Sequence, residues 1–185
     1  MSFFPIILRR ISIIRPACRQ AGITTMQCII LAAGEGQRMR PLTLKTPKPL
    51  LLVNGKPLLE HIINSLPIQI TEIILVIGYL GGQIKNYFGD NFQGKKISYV
   101  FQKEFLGTYK ALELCRPLLG TGLFLLMYAD DLHSPASLKK MTDKKDLAIL
   151  VKEVPDPRPI ASVLVNDDGT VKEIEEKPKN PKSNL

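Results

Sequence analysis

Residues 28–64 decide the fold of this chain and read CIILAAGEGQRMRPLTLKTPKPLLLVNGKPLLEHIIN. They open with a short apolar run, residues 28–31, which predicts a buried β-strand. A loop of small residues, Ala32-Ala33-Gly34-Glu35-Gly36, follows at once. Four cations come close behind the loop: Arg38, Arg40, Lys45 and Lys48. A strand, a glycine loop and nearby cations in this order are typical of a phosphate-binding site.

The two glycines of the loop give the physical reason. Gly34 and Gly36 allow positive φ angles and a close approach of the backbone, so that consecutive N–H groups can point at phosphate oxygens. A helix N-terminus nearby would add partial positive charge to the same site. The alternative is a basic, solvated turn after a strand.

The residue pattern of the sequence excludes one other kind of phosphate-binding loop and disfavours a second. A Walker A loop ends in Gly-Lys-Ser or Gly-Lys-Thr, whereas the Gly-Lys pairs here are followed by Pro57 and Lys96. A dinucleotide-binding fingerprint needs a third glycine where this chain has Met39, which disfavours an oxidoreductase.

Three motifs in this stretch together resemble a known family. LAAGEGQRMRPLT, then Pro47-Lys48-Pro49 and then Gly55-Lys56-Pro57 are similar to the signature of nucleotidyltransferases that activate sugar 1-phosphates, the nucleoside-diphosphate-sugar pyrophosphorylases. The resemblance covers about Met26 to the end of the chain and corresponds to the N-terminal part of the catalytic domain. It implies a Rossmann-like α/β fold that is truncated within that domain.

Composition narrows the classes of function. The chain has 185 residues, 45% of them hydrophobic and 23% charged, and no apolar run long enough to span a membrane. A net charge of +8 suits anionic substrates, but scattered basic residues and only 6% aromatic residues argue against nucleic acid. Three widely spaced cysteines indicate reduced thiols and a cytoplasmic protein, with a homo-oligomer left open.

Residues 1–25 differ from the rest, with four arginines and no acidic residue. A secretory signal is disfavoured because Arg9 and Arg10 interrupt its apolar core. A targeting presequence fits better, and a true start at Met26 is favoured because the family's first strand begins almost at the N-terminus. We therefore expect an N-terminal extension without a periodic apolar face at 1–25, and a nucleotidyltransferase domain at 26–185 that is incomplete at its C-terminus.

Apolar patterns along the chain alternate between strand and helix and predict an α/β domain with a mostly parallel sheet, flanking helices and a C-terminal β-hairpin. An Asn-Asp-Asp-Gly turn at 166–169 marks the hairpin. Further strands are predicted at 72–77, 96–101, 123–128, 146–154, 160–165 and 170–175, and helices at 56–66, 83–88 and 111–119.

Ligands of open α/β sheets bind beyond the carboxyl ends of strands, where the loops 34–40, 102–108 and 129–133 can converge. Asp130 and Asp131 follow an apolar strand and offer the oxygen ligands that a hard divalent cation prefers. The alternative for this pair is a helix cap or a turn. The resemblance implies that Asp130 binds Mg²⁺, with Ala129 in place of the family's glycine.

The resemblance also implies the remaining roles. Arg38 holds the leaving pyrophosphate, and Lys48 spans the α-phosphate and the incoming phosphate. Glu176 takes sugar hydroxyls and Lys177 the sugar phosphate. The nucleotide is assigned to Leu31, Ala33, Gly34, Gly36, Gln102, Gly107 and Thr108.

The sequence departs from the family pattern in three further places. Tyr109 stands where a small residue is usual, and Ile160-Ala161 where an aromatic or aliphatic residue precedes a glycine. The family's second metal-binding acidic residue would lie beyond Leu185. His61 and His133 match no family role and are expected to pack or to lie at the surface.

Two functions are consistent with these residues. The first is Mg²⁺-dependent joining of a nucleoside triphosphate to a sugar 1-phosphate, which gives a nucleotide-sugar and pyrophosphate. The second is a module that binds a nucleotide or sugar phosphate without turnover, or an inactive fragment of such an enzyme. We expect this chain to bind nucleoside triphosphate with Mg²⁺ and to turn it over poorly. The nucleotide and the sugar stay open.

Overall fold

The computed structural model describes residues 3–7, 19–20, 23–104 and 107–185, which belong to two compact units. The first, here called the sheet unit, is Ile14–Pro135, and the second, the hairpin unit, combines Met1–Ile13 with Ala136–Leu185. The strands are β1 (Phe3–Ile7), β2 (Arg19–Gln20), β3 (Ile23–Thr24), β4 (Met26–Ala32), β5 (Leu52–Val53), β6 (Lys56–Pro57), β7 (Ile70–Ile77), β8 (Asn91–Phe92), β9 (Lys95–Phe101), β10 (Phe124–Tyr128), β11 (Ala148–Lys152), β12 (Ala161–Val165) and β13 (Val171–Glu176). The helices are α1 (Leu58–Ser65), α2 (Gly81–Phe88), α3 (Gly107–Cys115) and α4 (Pro135–Thr142).

A five-stranded sheet in the order β10-β4-β7-β9-β8 forms the centre of the sheet unit. The strands β10, β4, β7 and β9 run parallel, and only the short β8 is antiparallel to its neighbour. Cys28 of β4 lies between Leu125 of β10 and Ile73 of β7. The predicted mostly parallel α/β fold is thereby confirmed.

Helices cover this sheet and explain its apolar strands. Ile29, Ile74 and Val76 are at most 2% exposed and belong to one core cluster with Ala111 and Cys115 of α3. Burial of parallel strands on both faces requires continuous β-branched and aliphatic runs instead of alternation. The predicted strands of this unit agree with the structure to within about two residues, a normal margin for element ends.

All three predicted helices have different bounds in the structure, and the second begins at Gly81 instead of residue 83. The first begins at Leu58 instead of residue 56, because Lys56–Pro57 pairs with Leu52–Val53 in a hairpin. The turn of that hairpin is Asn54-Gly55, with φ angles of 53° and 79° that suit a type I′ turn. The third helix ends at Cys115, and its apolar face continues in a 3₁₀ turn, Arg116–Leu118.

Helix α4 and the short strands β5, β6 and β8 were not predicted. The strands are two residues long and are fixed by their turns, so they show no apolar pattern. Helix α4 buries only Ser137 and Leu138, so it has little apolar periodicity. No helix among the described residues is long and apolar enough to cross a membrane.

The hairpin unit contains the predicted C-terminal hairpin. Strands β12 and β13 pair antiparallel with Val163 opposite Ile174, and Gly169 in the turn has a φ of 76°. Its core cluster is small, with Val151 and Val163 each 7% exposed. Strand β1 pairs antiparallel with β11, a pairing that apolar periodicity did not predict. Apart from β1, β2, β3 and Thr25, the extension predicted at 1–25 lies outside the described residues.

Candidate active site

A cleft of about 770 Å³ opens at the carboxyl ends of the parallel strands in the sheet unit. Strand β4 has β10 on one side and β7 on the other, so the direction in which the chain adds strands reverses between β4 and β10. Loops on either side of such a reversal move apart and leave a crevice, which is where open α/β sheets bind ligands. Topology therefore positions this cleft.

The structure brings most of the sequence-predicted site residues together. Ten of them line the cleft: Leu31, Ala33, Gly34, Gly36, Arg38, Lys48, Gln102, Gly107, Thr108 and Asp130. Glu176 and Lys177 belong to the hairpin unit, where both are exposed at the end of β13. Lys177 has a φ of 48°, and its N–H donates to the carbonyl of Ile160 at 2.8 Å. The chemical roles of all twelve residues stay predictions.

Gly36 is the glycine on which the loop conformation depends. It is left-handed, with φ 62° and ψ 35°, and a Cβ there would lie 3.0 Å from Thr43 Cγ2 and 3.2 Å from Lys48 Cβ. Its carbonyl accepts hydrogen bonds from the Met39 N–H and from Thr43 Oγ1, each at 2.9 Å. A side chain at this position would be strained and would push against both neighbours.

Gly34 has a different reason to be glycine. Its φ is not positive, so the prediction that both glycines use positive φ is wrong for this one. Apart from its two chain neighbours, no heavy atom in the described part of the chain lies within 4 Å of the position that a Cβ would take, although the residue lines the cleft. The space beside Gly34 therefore leaves its backbone open to a ligand.

Two arginines follow the loop and differ in their partners. Arg40 pairs with Glu35 at 3.3 Å and does not line the cleft. Arg38 lies in a 3₁₀ turn, Gln37–Met39, and lines the cleft with an exposed side chain. Among the residues that the structure describes, no carboxylate pairs with Arg38. Its guanidinium is thus available to an anion in the cleft.

Lys48 and Asp130 form an ion pair in the cleft, with 2.5 Å between Nζ and Oδ2. Lys48 begins a 3₁₀ turn, Lys48–Leu50, whereas Asp130 follows the end of β10. The two side chains are 28% and 47% exposed, so the pair stabilises the fold little. Each group can therefore exchange its partner for a ligand of opposite charge at low cost.

The residues beside Asp130 bear on metal binding. Asp131 pairs with His133 at 3.2 Å, which gives both a role that the sequence did not suggest. In the described parts of the chain, no group of three or more His, Cys, Asp or Glu side chains could hold a metal ion. A metal at Asp130 would need further ligands from a substrate or from water.

The opposite end of the cleft is formed by the loop after β9 and the start of α3. Gln102 is 6% exposed, and its N–H donates to the carbonyl of Ile77 at 2.8 Å. Gly107 opens α3 with a φ of 85°, and Thr108 Oγ1 lies 3.0 Å from the hydroxyl of Tyr128. Phe105 and Leu106 of this predicted loop lie outside the described residues.

Several lining residues were not predicted from sequence: Ala32, Gln37, Met39, Pro49, Ala111, Tyr128 and Ala129. Tyr128 could have been predicted from sequence, because it ends an otherwise apolar strand and directly precedes the turn that contains Asp130. Tyr109, singled out as a departure from the family, is 73% exposed and does not line the cleft.

The fold and this cleft define a class: an α/β protein with a glycine-containing loop beside a cleft at the reversal point of a parallel sheet. The family model of nucleotidyl transferases matches residues 27–185, and the chain belongs to this family of sugar-1-phosphate nucleotidyltransferases. The match covers the region in which the sequence motifs were found.

Relatives with curated functions agree with this family. The chain is 35% identical over 164 residues to the bifunctional protein GlmU of Methanocaldococcus jannaschii. This alignment covers 86% of the chain and 38% of the relative. It is 34% identical over 168 residues to the UTP--glucose-1-phosphate uridylyltransferase AglF of Haloferax volcanii, with coverages of 86% and 68%. The chain thus spans well under half the length of the GlmU relative.

Solved structures agree with the fold. A Bacillus anthracis protein described as a glucose-1-phosphate thymidylyltransferase, in complex with sucrose, superposes with a TM-score of 0.72 at 30% identity. The match covers 86% of this chain and 68% of that structure. A UDP-glucose pyrophosphorylase complexed with UDP-glucose gives a TM-score of 0.68 at 22% identity, over 86% and 72% of the two chains.

Proposed function

We propose that this chain carries out, or forms part of an enzyme that carries out, the transfer of a nucleotidyl group to a sugar 1-phosphate, within a domain at residues 26–185. The observation that carries the proposal is the cleft itself. Ten motif residues from four separate segments line it, with an open glycine loop, an arginine that has no carboxylate partner among the described residues, and the Lys48–Asp130 pair. Family membership and the names of the relatives support the same reaction class.

The reaction is a displacement at phosphorus. An oxygen of the sugar 1-phosphate attacks the α-phosphorus of the nucleoside triphosphate, the bond to the bridging oxygen breaks, and pyrophosphate leaves with that electron pair. The nucleophile is already an anion, so no general base is needed. Catalysis reduces to aligning two phosphates that repel each other and to neutralising charge in the transition state.

The chain's own cations supply that neutralisation. Arg38 is proposed to take the leaving pyrophosphate, because a planar guanidinium can donate two hydrogen bonds to it. Lys48 is proposed to lie between the α-phosphate and the incoming phosphate, and must exchange Asp130 for them. The backbone at Gly34 and Gly36 would cradle the triphosphate, and the space beside Gly34 would let it approach closely.

The residues at Asp130 fit a magnesium ion that arrives with its substrate. Mg²⁺ commonly uses one or two carboxylates plus substrate phosphates and water, and Asp130 is an accessible carboxylate in the cleft. Bound there, Mg²⁺ would neutralise phosphate charge. Asp130 would hold the ion, and release of Lys48 from Asp130 would free the ammonium for phosphate.

The remaining assignments concern recognition. The buried Gln102 and the loop before α3 at Gly107 and Thr108 are proposed to face the nucleobase, with Leu31 and Ala33 beneath the nucleoside. Glu176 and Lys177 are proposed to take the sugar hydroxyls and the sugar phosphate. The relatives' names point to UTP or dTTP with glucose 1-phosphate as the first substrates to try.

The test is release of pyrophosphate from UTP or dTTP with Mg²⁺, with and without glucose 1-phosphate. Dependence on the sugar phosphate is expected for the transferase. Nucleotide binding without pyrophosphate release would instead favour a binding module. Robust hydrolysis that ignores the sugar phosphate would contradict both.

Two variants separate the chemical roles. In a version of the protein that shows sugar-dependent turnover, Arg38→Ala and Asp130→Asn should each lower turnover about 10²- to 10³-fold, the usual cost of losing a preorganised partner for transition-state charge. Raising Mg²⁺ should partly rescue Asp130→Asn, which keeps the shape but loses charge, and should not rescue Arg38→Ala. Wild-type turnover in both variants would refute the assigned roles.

A further inference from the structure

Two residues that do not line the cleft connect its walls. Gly78 and Tyr79, here called the brace, follow β7, the middle strand of the five-stranded sheet. The loops after the flanking strands β4 and β9 begin at Ala33 and Gln102 and line the cleft. The brace therefore lies between the two loops that are proposed to hold the nucleotide.

Gly78 is held tightly between these loops. A Cβ there would lie 3.0 Å from the carbonyl oxygens of both Ala33 and Gln102, and 3.1 Å from Ala33 Cβ. Both oxygens are backbone atoms, so they cannot move without shifting their loops. The φ of Gly78 is not positive, hence close approach and not conformational freedom is the reason for glycine.

Tyr79 reaches further, to the turn that supports the glycine loop. Its N–H donates to the carbonyl of Ala33 at 3.2 Å. Its hydroxyl lies 3.1 Å from the carbonyl oxygens of both Thr43 and Leu44. Thr43 in turn is 1% exposed and donates through Oγ1 to the carbonyl of Gly36. Tyr79 thus connects β7 to both sides of the loop 33–44.

A backbone outlier follows the brace directly. Leu80 has a φ of 52° and a ψ of 25°, a left-handed conformation that is unfavourable for a leucine. The Gly81 N–H donates to the carbonyl of Gly78 at 3.0 Å and closes a tight turn around Tyr79 and Leu80. Such strain persists where surrounding contacts over-determine it, and it often clusters at functional sites.

We propose that Tyr79 is a positioning residue for the phosphate-binding loop and that Gly78 makes room for it. Tyr79 acts through Ala33, Thr43 and Leu44, and it fixes Gly36 and the segment leading to Lys48 before any ligand is bound. The inference rests on the proposed function for its ligand, but the ordering of the loop can be measured without one.

The experiment compares Tyr79→Phe with Tyr87→Phe by hydrogen exchange in the absence of ligand. Each variant loses one tyrosine hydroxyl of the sheet unit; that of Tyr87 donates to Glu60 at 2.9 Å, and Tyr87 does not line the cleft. The probes are the amides of Met39, Arg40 and Leu44, which form hydrogen bonds inside the loop. Tyr79→Phe should speed their exchange about fivefold, the typical weight of one neutral hydrogen bond, whereas Tyr87→Phe should not.

Affinity for MgUTP is the second readout. In a protein that binds MgUTP, Tyr79→Phe should weaken binding about fivefold with little change in melting temperature, because the ring keeps its packing. Equal exchange in the two variants overturns the proposal, and so does faster exchange with unchanged MgUTP affinity. If wild-type protein binds neither MgUTP nor MgdTTP, the proposed function fails, and loop exchange alone decides whether Tyr79 positions the loop.

Thr43→Val provides an independent check because it keeps side-chain shape and removes the hydrogen bond to Gly36. Contacting residues that act through one loop are expected to be non-additive. The double variant Tyr79→Phe/Thr43→Val should therefore speed loop exchange by less than the product of the single effects. Strict additivity would mean that the two residues act separately and would contradict the proposed connection.

Discussion

The sheet unit and the hairpin unit differ in how their strands are buried. In the sheet unit, helices cover parallel strands whose central residues, such as Ile29 and Val76, are completely buried. In the hairpin unit, two-stranded sheets leave Val151 and Val163 as the buried cluster. The chemistry-bearing residues of the first unit meet at one sheet edge, while Glu176 and Lys177 of the second are exposed at the end of a strand. The cleft thus belongs to the unit whose parallel strands are buried beneath helices.

The largest expected effect comes from making the same substitution in both cores. Val76→Ala should lower the free energy of unfolding of the sheet unit by about 2–3 kcal/mol, through lost transfer energy and a cavity that neighbours cannot fill. Val163→Ala should cost less, because Val151 is the other buried residue of its small cluster and the partly buried neighbours around it can relax. Denaturant unfolding of the two variants measures the difference. Equal costs would break the contrast between the two cores.

Gly34 and Gly36 allow a second comparison, between two glycines of one loop in the sheet unit. Gly36→Ala should destabilise the protein by roughly 1–3 kcal/mol, since it combines a positive φ with contacts at 3.0 Å and 3.2 Å. Gly34→Ala should leave stability nearly unchanged and weaken MgUTP binding, because its Cβ would project into open space beside the cleft. Thermal melting and titration calorimetry separate these effects. A stable Gly36→Ala variant would show that the loop tolerates a different backbone.

A smaller effect on stability is expected from the cleft's ion pair. Lys48→Met and Asp130→Asn should each change the free energy of unfolding by less than about 1 kcal/mol, because the pair is solvent-exposed and screened by salt. Their effects on binding should have opposite signs. Without metal, Asp130→Asn should raise the affinity for UTP and Lys48→Met should lower it. Arg38→Ala is the control, since it removes a cleft cation without freeing Asp130.

Ionisation of the buried thiols in the sheet unit should have no effect on protein stability at neutral pH. Burial raises the pKa of Cys115 from about 9 to about 11, and it raises that of Cys28 as well. Between pH 9 and about 11, the Cys115 thiol is protonated in the folded protein and ionised in the unfolded chain, so unfolding releases a proton. The free energy of unfolding should therefore fall as the pH rises from about 9 through about 11. Cys115→Ala should flatten this part of the pH profile of melting temperature. Rapid reaction of native Cys115 with a thiol reagent at pH 8 would contradict the assignment.

How well each feature could be predicted depends on whether its cause is local. Strands β4, β7 and β10 were predicted because continuous apolar runs are what burial on both faces demands. The turn at Gly169 was predicted because positive φ selects glycine. By contrast, β1 and α4 were not, since their patterns carry no strong period and their partners are distant in sequence.

The sequence by itself determined the class of fold, the glycine loop and the identity of the charged groups, because strand burial, tight turns and phosphate binding each restrict residue types locally. Only the tertiary structure decided which groups meet. The pairing of Lys48 with Asp130, 82 residues apart, depends on the strand order β10-β4-β7. The order β4-β7-β9 places Gly78 between two loops. Packing of Thr43 and Lys48 against Gly36, but not against Gly34, gives these two residues different reasons to be glycine. Contacts across a sheet edge are set by packing, which no local pattern encodes.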